Sequence, residues 1–128
     1  MTGPIVFIAR NRVKEGTVAD FVGHYEQSVA PIEAGKPETL VQLAYVSEDA
    51  TEVTIVRVFP SADALDFHLQ GASERSKKPY EYIEPTRFEI YGVPSQSTME
   101  MIRKVAGTGL VVSVHPQFIG GFVRPKSG

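Results

Sequence analysis

His68 is the side chain in this sequence that is best suited to acid–base chemistry. An imidazole exchanges its proton near neutral pH, because its reference pKa is about 6.5. In the segment PSADALDFHLQG, Leu65, Leu69 and Ala72 recur at helical spacing, and His68 lies one step to the side of this apolar face. We therefore expect His68 at the rim of a helix that covers a sheet, with any ligand site between the helix and the sheet.

Other classes of site lack the residues they need. The chain has no cysteine, which excludes disulfides, thiolate metal sites and thiol nucleophiles. The three histidines are far apart in sequence, and the one acidic neighbour at helical spacing is Asp20 before His24, so we predict no metal site. The sequence also lacks a glycine-rich phosphate loop and a GxSxG nucleophile elbow.

Composition narrows the class of protein further. The 128 residues are 42% hydrophobic and 22% charged, which is typical of one globular domain. A formal net charge of −2 gives no basic surface for nucleic acid. There is no apolar run of about 18 residues and no signal-peptide pattern at the start, so we expect a soluble cytoplasmic protein without a membrane partner.

The hydrophobic pattern predicts an alternation of strands and helices. Helical stripes begin after Thr17-x-x-Asp20, which resembles a capping box, and after the cap residue Ser61. Runs rich in β-branched and aromatic residues occur four times in this region, at Pro4–Val13, Thr39–Ser47, Val53–Phe59 and Thr86–Val93. The order β-α-β-β-α-β predicts an α+β, ferredoxin-like fold, with an antiparallel four-stranded sheet and both helices on one face.

The second face of such a sheet needs a partner. Its strands are apolar on both sides, while both helices cover the same side, so we predict a homodimer packed sheet to sheet. Strand one is expected between strands three and four, which would bring Arg10, Arg57 and Glu89 together. These charges either neutralise one another inside the dimer or form an anion site.

A tail follows the ferredoxin-like region, so we divide the chain into a domain at 1–94 and an extension at 95–128. Ser97-x-x-Glu100 is a capping box, and it begins a helix with apolar positions Thr98, Met101, Ile102 and Val105. Residues 110–114, LVVSV, predict a fifth strand. The remaining arm carries Phe118, Ile119, Phe122 and Val123, and we expect it to pack on its own domain or across the dimer.

Three segments resemble the antibiotic biosynthesis monooxygenase-like superfamily: ARNRVKEGTVADF, ADALDFHLQG and FEIYG. The helix segment is most similar to that of small quinol monooxygenases in this superfamily. The resemblance implies a dimeric α/β barrel that oxidises a small aromatic or quinol substrate with O₂ in a cleft between helices and sheet, without a cofactor.

The resemblance also implies roles for individual residues. His68 matches the superfamily's helix histidine and is the candidate base, and Asn11 is placed to hold a substrate oxygen or a peroxide. Substrate contacts are expected from aromatic and cationic side chains near these two, namely Phe67, Tyr82, Arg87, Phe88 and Tyr91. The structural alternatives are a histidine bonded to a backbone carbonyl, an asparagine that bonds the turn, and tyrosines that pack with their hydroxyls in water.

Two other functions fit the same fold. One is a non-catalytic dimer that binds a small ligand or serves a structural purpose. The other is haem degradation, whose branch of the superfamily has an Asn followed by a basic residue, as in Asn11-Arg12. That branch also has a helix tryptophan and a ligating histidine, whereas this chain has Phe67 and Lys77 in those places and no tryptophan.

Overall fold

The computed structural model describes residues 3–106 and 109–124. Its helices and strands follow the order predicted from sequence, with a fifth strand and further helices after the second α-helix. The elements are β1 (Ile5–Val13), α1 (Val18–Gly35), β2 (Val41–Val46), β3 (Glu52–Phe59), α2 (Ala62–Leu69), α3 (Ala72–Ser76), a 3₁₀ turn (Pro79–Glu81), β4 (Ile83–Tyr91), α4 (Gln96–Ala106) and β5 (Val111–His115).

The strands form one mixed sheet in the order β2-β3-β1-β4-β5. All neighbours are antiparallel except β4 and β5, which are parallel. The predicted α+β ferredoxin-like fold is confirmed, including the position of β1 between β3 and β4. The predicted hairpin between β2 and β3 is also present, and its turn places Ala50 at a φ of 61°.

The helices pack on one face of this sheet. Along β1 the buried residues alternate with less buried ones, so Ile5, Phe7 and Ala9 point to the helix side. Phe21 of α1 and Leu65 of α2 join the same core. No helix in the described part of the chain lies over the other face, which carries the side chains of Val6, Ile8, Val41, Leu43, Tyr45, Val56 and Val58 and which we call the open face.

The predicted helix stripes match the buried faces in part, since Leu65 is buried and Val18, Tyr25 and Leu69 pack against the core. The spacing of apolar residues predicts an α1 stripe of Val18, Val22, Tyr25, Val29 and Ile32. In the structure the buried residue of α1 is Phe21, and Val29 is 40% exposed. In α2 Ala64, Leu65 and His68 are buried, so His68 lies inside the packed face and not at its rim. The cap of α2 is as predicted, since Ser61 accepts a hydrogen bond from the Ala64 amide at 3.2 Å.

The predicted capping box of α1 is wrong in its hydrogen bonds. The Thr17 hydroxyl makes no bond to the first turn of its own helix. It donates instead at 2.7 Å to the carbonyl of Lys14 and at 2.8 Å to that of Tyr82. Thr17 therefore ties the start of α1 to the segment before β4, a contact that depends on tertiary structure.

β4 begins earlier than predicted and carries a β-bulge. Asn11 of β1 lies opposite Pro85, and Arg10 lies opposite Arg87, so Thr86 is the extra residue. Proline has no amide hydrogen to donate to a ladder, and a bulge accommodates it. The Thr86 hydroxyl donates to the Arg10 carbonyl at 3.2 Å in place of a ladder bond.

The C-terminal segment extends the same sheet. α4 is capped by Ser95 and not by the predicted Ser97, because the Ser95 side chain accepts from the Thr98 amide at 3.1 Å. β5 pairs with β4. In the C-terminal arm, residues 116–124, Phe118 lies against Gly3, but Ile119 is 99% exposed, so much of the arm is not docked on its own chain. The prediction for Val105 concerns a side chain outside the described residues.

Candidate active site

A cavity of about 790 Å³ lies between the helices and the sheet. Its floor includes Phe7, Asn11 and Phe88, and its walls come from α1, α2, α3 and α4. This volume is within the range of about 300–1,000 Å³ that is usual for small-molecule sites. The surface of the cavity is mostly apolar, so the polar side chains that line it decide what chemistry it can support.

His68 reaches this cavity from α2. Its side chain is 3% exposed, and the ring meets Phe59 edge-on with 5.2 Å between centroids. Its Nδ1 lies 2.7 Å from the Thr39 hydroxyl. The bond to Thr39 fixes the ring orientation, and Nδ1 is not bonded to a backbone carbonyl, which was the structural alternative.

The environment of His68 disfavours its protonated form. Burial lowers the pKa of His68 to about 3, with help from the positive charges of Arg57, Arg75 and Lys36. The imidazole is therefore neutral at physiological pH. The argument from a reference pKa near working pH does not hold for this residue.

Arg75 and Lys36 also fix the carboxyl end of α2. The Arg75 guanidinium donates to the carbonyls of His68 and Gln70, at 2.5 and 2.6 Å. Lys36, just after α1, donates to the Phe67 carbonyl at 2.6 Å. Cations are favourable at the negative end of a helix dipole, so these two residues hold the backbone that carries His68.

Asn11 lies on the floor of the cavity, where β1 passes the bulge. Its Nδ2 donates to the carbonyls of Ala9 and Val53, both at 3.3 Å. Because both neighbours are acceptors, they determine which end of the amide faces them. The Oδ1 atom makes no hydrogen bond in the described part of the chain, so Asn11 can accept one from a ligand.

Of the predicted substrate-contact residues, Phe88 lines the cavity. It is buried and packs on Phe7 with 5.2 Å between ring centroids. Phe67 points outward under the Lys36 ammonium. Tyr82 packs at the margin of the core with Lys78 over its ring, and it does not line the cavity.

Arg87 and Tyr91 lie on the open face, away from the cavity, because they alternate with Phe88 and Ile90 along β4. Arg87 bonds Glu89 at 2.9 Å and Ser113 at 3.2 Å, and Tyr91 stacks on His115 with 4.6 Å between centroids. Arg87 and Tyr91 therefore point away from the cavity and do not contact a substrate bound in it by the same chain.

Arg57 is the polar cavity residue that sequence reasoning misplaced. Arg10 bonds Glu89 at 3.3 Å on the open face as expected, but Arg57 pairs with Phe7 across the ladder and points to the helix side. It lines the cavity together with His68 and Tyr25. The signal in the sequence was a single cation within the otherwise uncharged run VTIVRVF.

Two further properties concern the residues that the structure describes. None of their helices is long and apolar enough to cross a membrane. No cluster of three or more His, Asp or Glu side chains among them could hold a metal ion.

Comparison with solved structures identifies the fold. MupZ from Pseudomonas fluorescens superposes with a TM-score of 0.62 at 15% identity, over 96% of each chain. SnoaB from Streptomyces nogalater, a cofactor-independent oxygenase, gives 0.60 at 14% identity over 73% of this chain and 96% of that one. A Caulobacter crescentus CB15 protein, provisionally named an antibiotic biosynthesis monooxygenase, gives 0.61 at 20% identity over 70% and 88%.

The chain has the antibiotic biosynthesis monooxygenase-like fold. The resemblance drawn from the sequence is thereby confirmed at the level of the fold. No protein-family model and no curated protein matches the sequence.

Within this fold the length of the chain varies. The match to SnoaB covers 73% of this chain, but the match to MupZ covers 96% and therefore extends past residue 94. The segment after the ferredoxin-like region is thus present in another protein of the same fold. The division into 1–94 and 95–128 stays a prediction, since β5 continues the sheet of the first region.

Proposed function

We propose that this protein is a cofactor-independent monooxygenase that oxidises a small aromatic or quinol molecule with O₂. The observation that supports this most is the cavity of about 790 Å³, where His68 and Asn11 are buried among apolar walls. Such walls hold an aromatic ring out of water and leave few polar groups to act on its hydroxyl. SnoaB, a cofactor-independent oxygenase, has the same fold and supports this reaction class.

The proposed reaction needs no external reductant. When a phenol becomes a quinone, one atom of O₂ bonds to a ring carbon and the other leaves as water. The ring hydrogen and the hydroxyl hydrogen end in that water, and the ring supplies all the electrons that O₂ takes up. The protein's task is to favour the electron-rich phenolate and to exclude solvent while O₂ reacts.

The low pKa of His68 decides how it takes part. A phenol has a pKa of about 10, so full proton transfer to an imidazole of pKa about 3 costs roughly 10 kcal/mol without compensation. We therefore assign His68 the role of hydrogen-bond acceptor. With Nδ1–H donating to Thr39, the Nε2 lone pair accepts from the substrate hydroxyl, as does Oδ1 of Asn11.

The positive charges around the cavity favour the anionic form of the substrate. Arg57 lines the cavity, and Arg75 and Lys36 lie behind His68. A cation near a hydroxyl lowers its pKa, since it stabilises the charged form in a medium of low dielectric. Hydrogen-bond acceptance by His68 and this positive field therefore act in the same direction.

A second function, binding without chemistry, is favoured by the same pKa. An imidazole that resists protonation is a weak base, although His24 of α1 and Glu74 of α3 also line the cavity. The alternative is therefore a dimer of the same fold whose cavity holds a small aromatic ligand. Haem degradation has less support, because Lys77, at the position of the ligating histidine, pairs with Glu74.

Oxygen consumption separates these functions. We expect O₂ uptake with members of a panel of phenols and hydroquinones, and one ¹⁸O atom in the quinone when ¹⁸O₂ is used. His68→Gln should lower kcat/KM about tenfold, the effect of one lost hydrogen bond of about 1.4 kcal/mol. The matched control is His115→Gln, because His115 lies on the open face and outside the cavity.

Each result assigns a function. Ligand binding without O₂ uptake across the panel supports the non-catalytic function and removes the monooxygenase. Uptake that His68→Gln leaves unchanged retains the reaction but removes His68 from it. Release of H₂O₂, detected by the return of O₂ on adding catalase, indicates an oxidase and contradicts oxygen insertion.

We also propose that the protein is a cytoplasmic homodimer packed through the open face. Leu43 and Tyr45 on this face are 47% and 61% exposed, and several aliphatic side chains surround them. Monomeric proteins rarely expose a continuous apolar patch of this kind. A second copy of the sheet would cover it symmetrically.

A further inference from the structure

Arg57 is a cation inside the cavity that lacks a carboxylate partner. Its Nε donates to the Gln42 side chain at 3.1 Å. In the described part of the chain it forms no salt bridge, and its other N–H groups have no hydrogen-bond partner. Enclosing a guanidinium without an opposite charge is costly, so stable proteins normally pair such a group.

The surroundings of Arg57 give the cavity a net positive charge. Burial lowers the pKa of Arg57, and the charge of Arg75 acts in the same direction. Arg75 and Lys36 are engaged with carbonyls of α2, and Lys77 and Lys78 pair with Glu74 and Glu81. Lys104 also lines the cavity but is an exposed residue of α4, so Arg57 is the lining cation that the sheet carries, and its remaining N–H groups are available to a ligand.

A second polar group without a hydrogen-bond partner lies in the wall of the same cavity. Tyr25 lines the cavity, and its hydroxyl is buried without any hydrogen-bond partner in the described residues. The Tyr25 and Tyr80 side chains are both close enough to Arg57 to influence its pKa. A buried donor and an unpaired cation in one region are the arrangement that an anionic ligand would complete.

We propose that Arg57 binds a carboxylate of the ligand, so that the cavity selects aromatic molecules that carry an acid group. This inference rests on the proposed function for the identity of the reacting ring, and it adds the class of substrate. A guanidinium fork matches the planar carboxylate group. Arg57 is the one cation that the sheet places in the cavity, and it balances a single negative charge, whereas a phosphate dianion would leave charge uncompensated at this end of the ligand.

A carboxylate also fits better than the phenolate of the reacting ring. A carboxyl group is ionised at neutral pH, while a phenol must first lose a proton at a pKa of about 10. Arg57 would then hold one end of the ligand, and His68 and Asn11 would accept from a hydroxyl elsewhere on it. A specific carboxylate contact explains why the run VTIVRVF, otherwise free of charge, carries an arginine on its helix side.

Binding of matched aromatic probes tests this assignment. We expect 2-naphthoate to bind at least about tenfold more tightly than the neutral amide 2-naphthamide or than 2-naphthol, as expected for a charge-assisted hydrogen bond. Fluorescence titration under anaerobic conditions measures this without turnover. Arg57→Met should reduce naphthoate affinity to the level of the amide, and Arg57→Lys should retain part of the preference.

The control is Arg103→Met, the same substitution at an exposed arginine of α4 that does not line the cavity. It should leave all affinities unchanged. Equal wild-type affinities for naphthoate and the amide overturn the assignment even if Arg57→Met does not fold. A preference that persists in Arg57→Met, 2-naphthol binding as tightly as naphthoate, or failure of the wild type to bind any probe also overturns it.

This experiment separates the inference from the proposed function. Naphthoate selectivity that depends on Arg57, in a protein that consumes no O₂ with any phenol, retains the carboxylate site and removes the monooxygenase. O₂ uptake that is equal for hydroquinone and 2,5-dihydroxybenzoate, with no probe selectivity, retains the enzyme and removes the carboxylate site.

Discussion

At the scale of single residues, the cavity combines acceptors and cations, and the carboxylate in its lining, Glu74, pairs with Lys77. Asn11 presents an acceptor because its amide donor is already used by backbone carbonyls, and His68 presents one at Nε2 in the proposed tautomer, in which Nδ1–H donates to Thr39. Burial keeps His68 neutral by lowering its pKa, and the charges of the nearby cations act in the same direction. This division of roles could not be predicted from a reference pKa, since burial and charge from other elements determine it.

The pKa of His68 makes stability depend on pH in a defined window. In the folded protein the pKa is about 3, against about 6.5 when unfolded, so the unfolded chain binds the extra proton between these values. The contribution of His68 to the free energy of unfolding is therefore constant above pH 6.5 and decreases as the pH falls toward 3. His68→Asn, which cannot titrate, should lose less stability between pH 6.5 and 5 in urea unfolding.

Other groups act outside that window. Burial alone would raise the pKa of Glu89, but hydrogen bonds from Arg87 and Arg10 outweigh it and lower the pKa. The effect of that carboxylate therefore comes at more acidic pH. Identical slopes for wild type and His68→Asn between pH 6.5 and 5 would show that His68 is not held neutral by the fold.

At the scale of elements, α2 is positioned by contacts at both ends and along its outer side. Lys36 and Arg75 bind its last carbonyls. On its side, Asp66 accepts from the hydroxyls of Ser95 and Thr98, at 2.6 and 2.5 Å, and so joins α2 to α4. Because His68 is on the same helix, these bonds help to set where its ring enters the cavity.

Asp66→Ala should destabilise the protein by about 2–3 kcal/mol, because it removes charge-assisted bonds and leaves the buried Thr98 hydroxyl without its partner. Guanidinium unfolding measures the change. The matched control is Asp63→Ala in the first turn of the same helix, where the side chain is exposed and the expected loss is about 0.5 kcal/mol. Equal losses in the two variants would show that Asp66 does not join the helices.

Sequence patterns predicted what depends on near neighbours. The cap of α2 at Ser61 and the order of the elements follow from local signals, and both agree with the structure. The prediction of the sheet face on which Arg57 lies was wrong. That face depends on the register between β1 and β3, which is set by distant parts of the chain. The predicted start of β4 was too late, because a bulge beside Pro85 allows the strand to include this proline.

At the scale of the whole molecule, the chain separates its two proposed interactions onto opposite sides of one sheet. The cavity lies on the helix side. The open face and the exposed C-terminal arm lie elsewhere, and the charges of Arg10, Arg87 and Glu89 neutralise part of that face. Association through the open face would therefore stabilise the protein without completing the ligand site.

This arrangement predicts that dimerisation and ligand binding can be uncoupled. Leu43→Glu places a charge in the middle of the open face, where burial in a dimer would be costly, so it should convert the protein to a monomer. Light scattering after size exclusion at micromolar concentration should give twice the chain mass of 14.0 kDa for the wild type and that mass for the variant. Val29→Glu, at a comparably exposed aliphatic residue of α1, should stay dimeric.

The monomeric variant should melt at a lower temperature but still prefer 2-naphthoate, because Arg57 and its neighbours come from one chain. A wild-type monomer would contradict the dimer, and loss of probe binding in a folded Leu43→Glu variant would show that the site needs the partner.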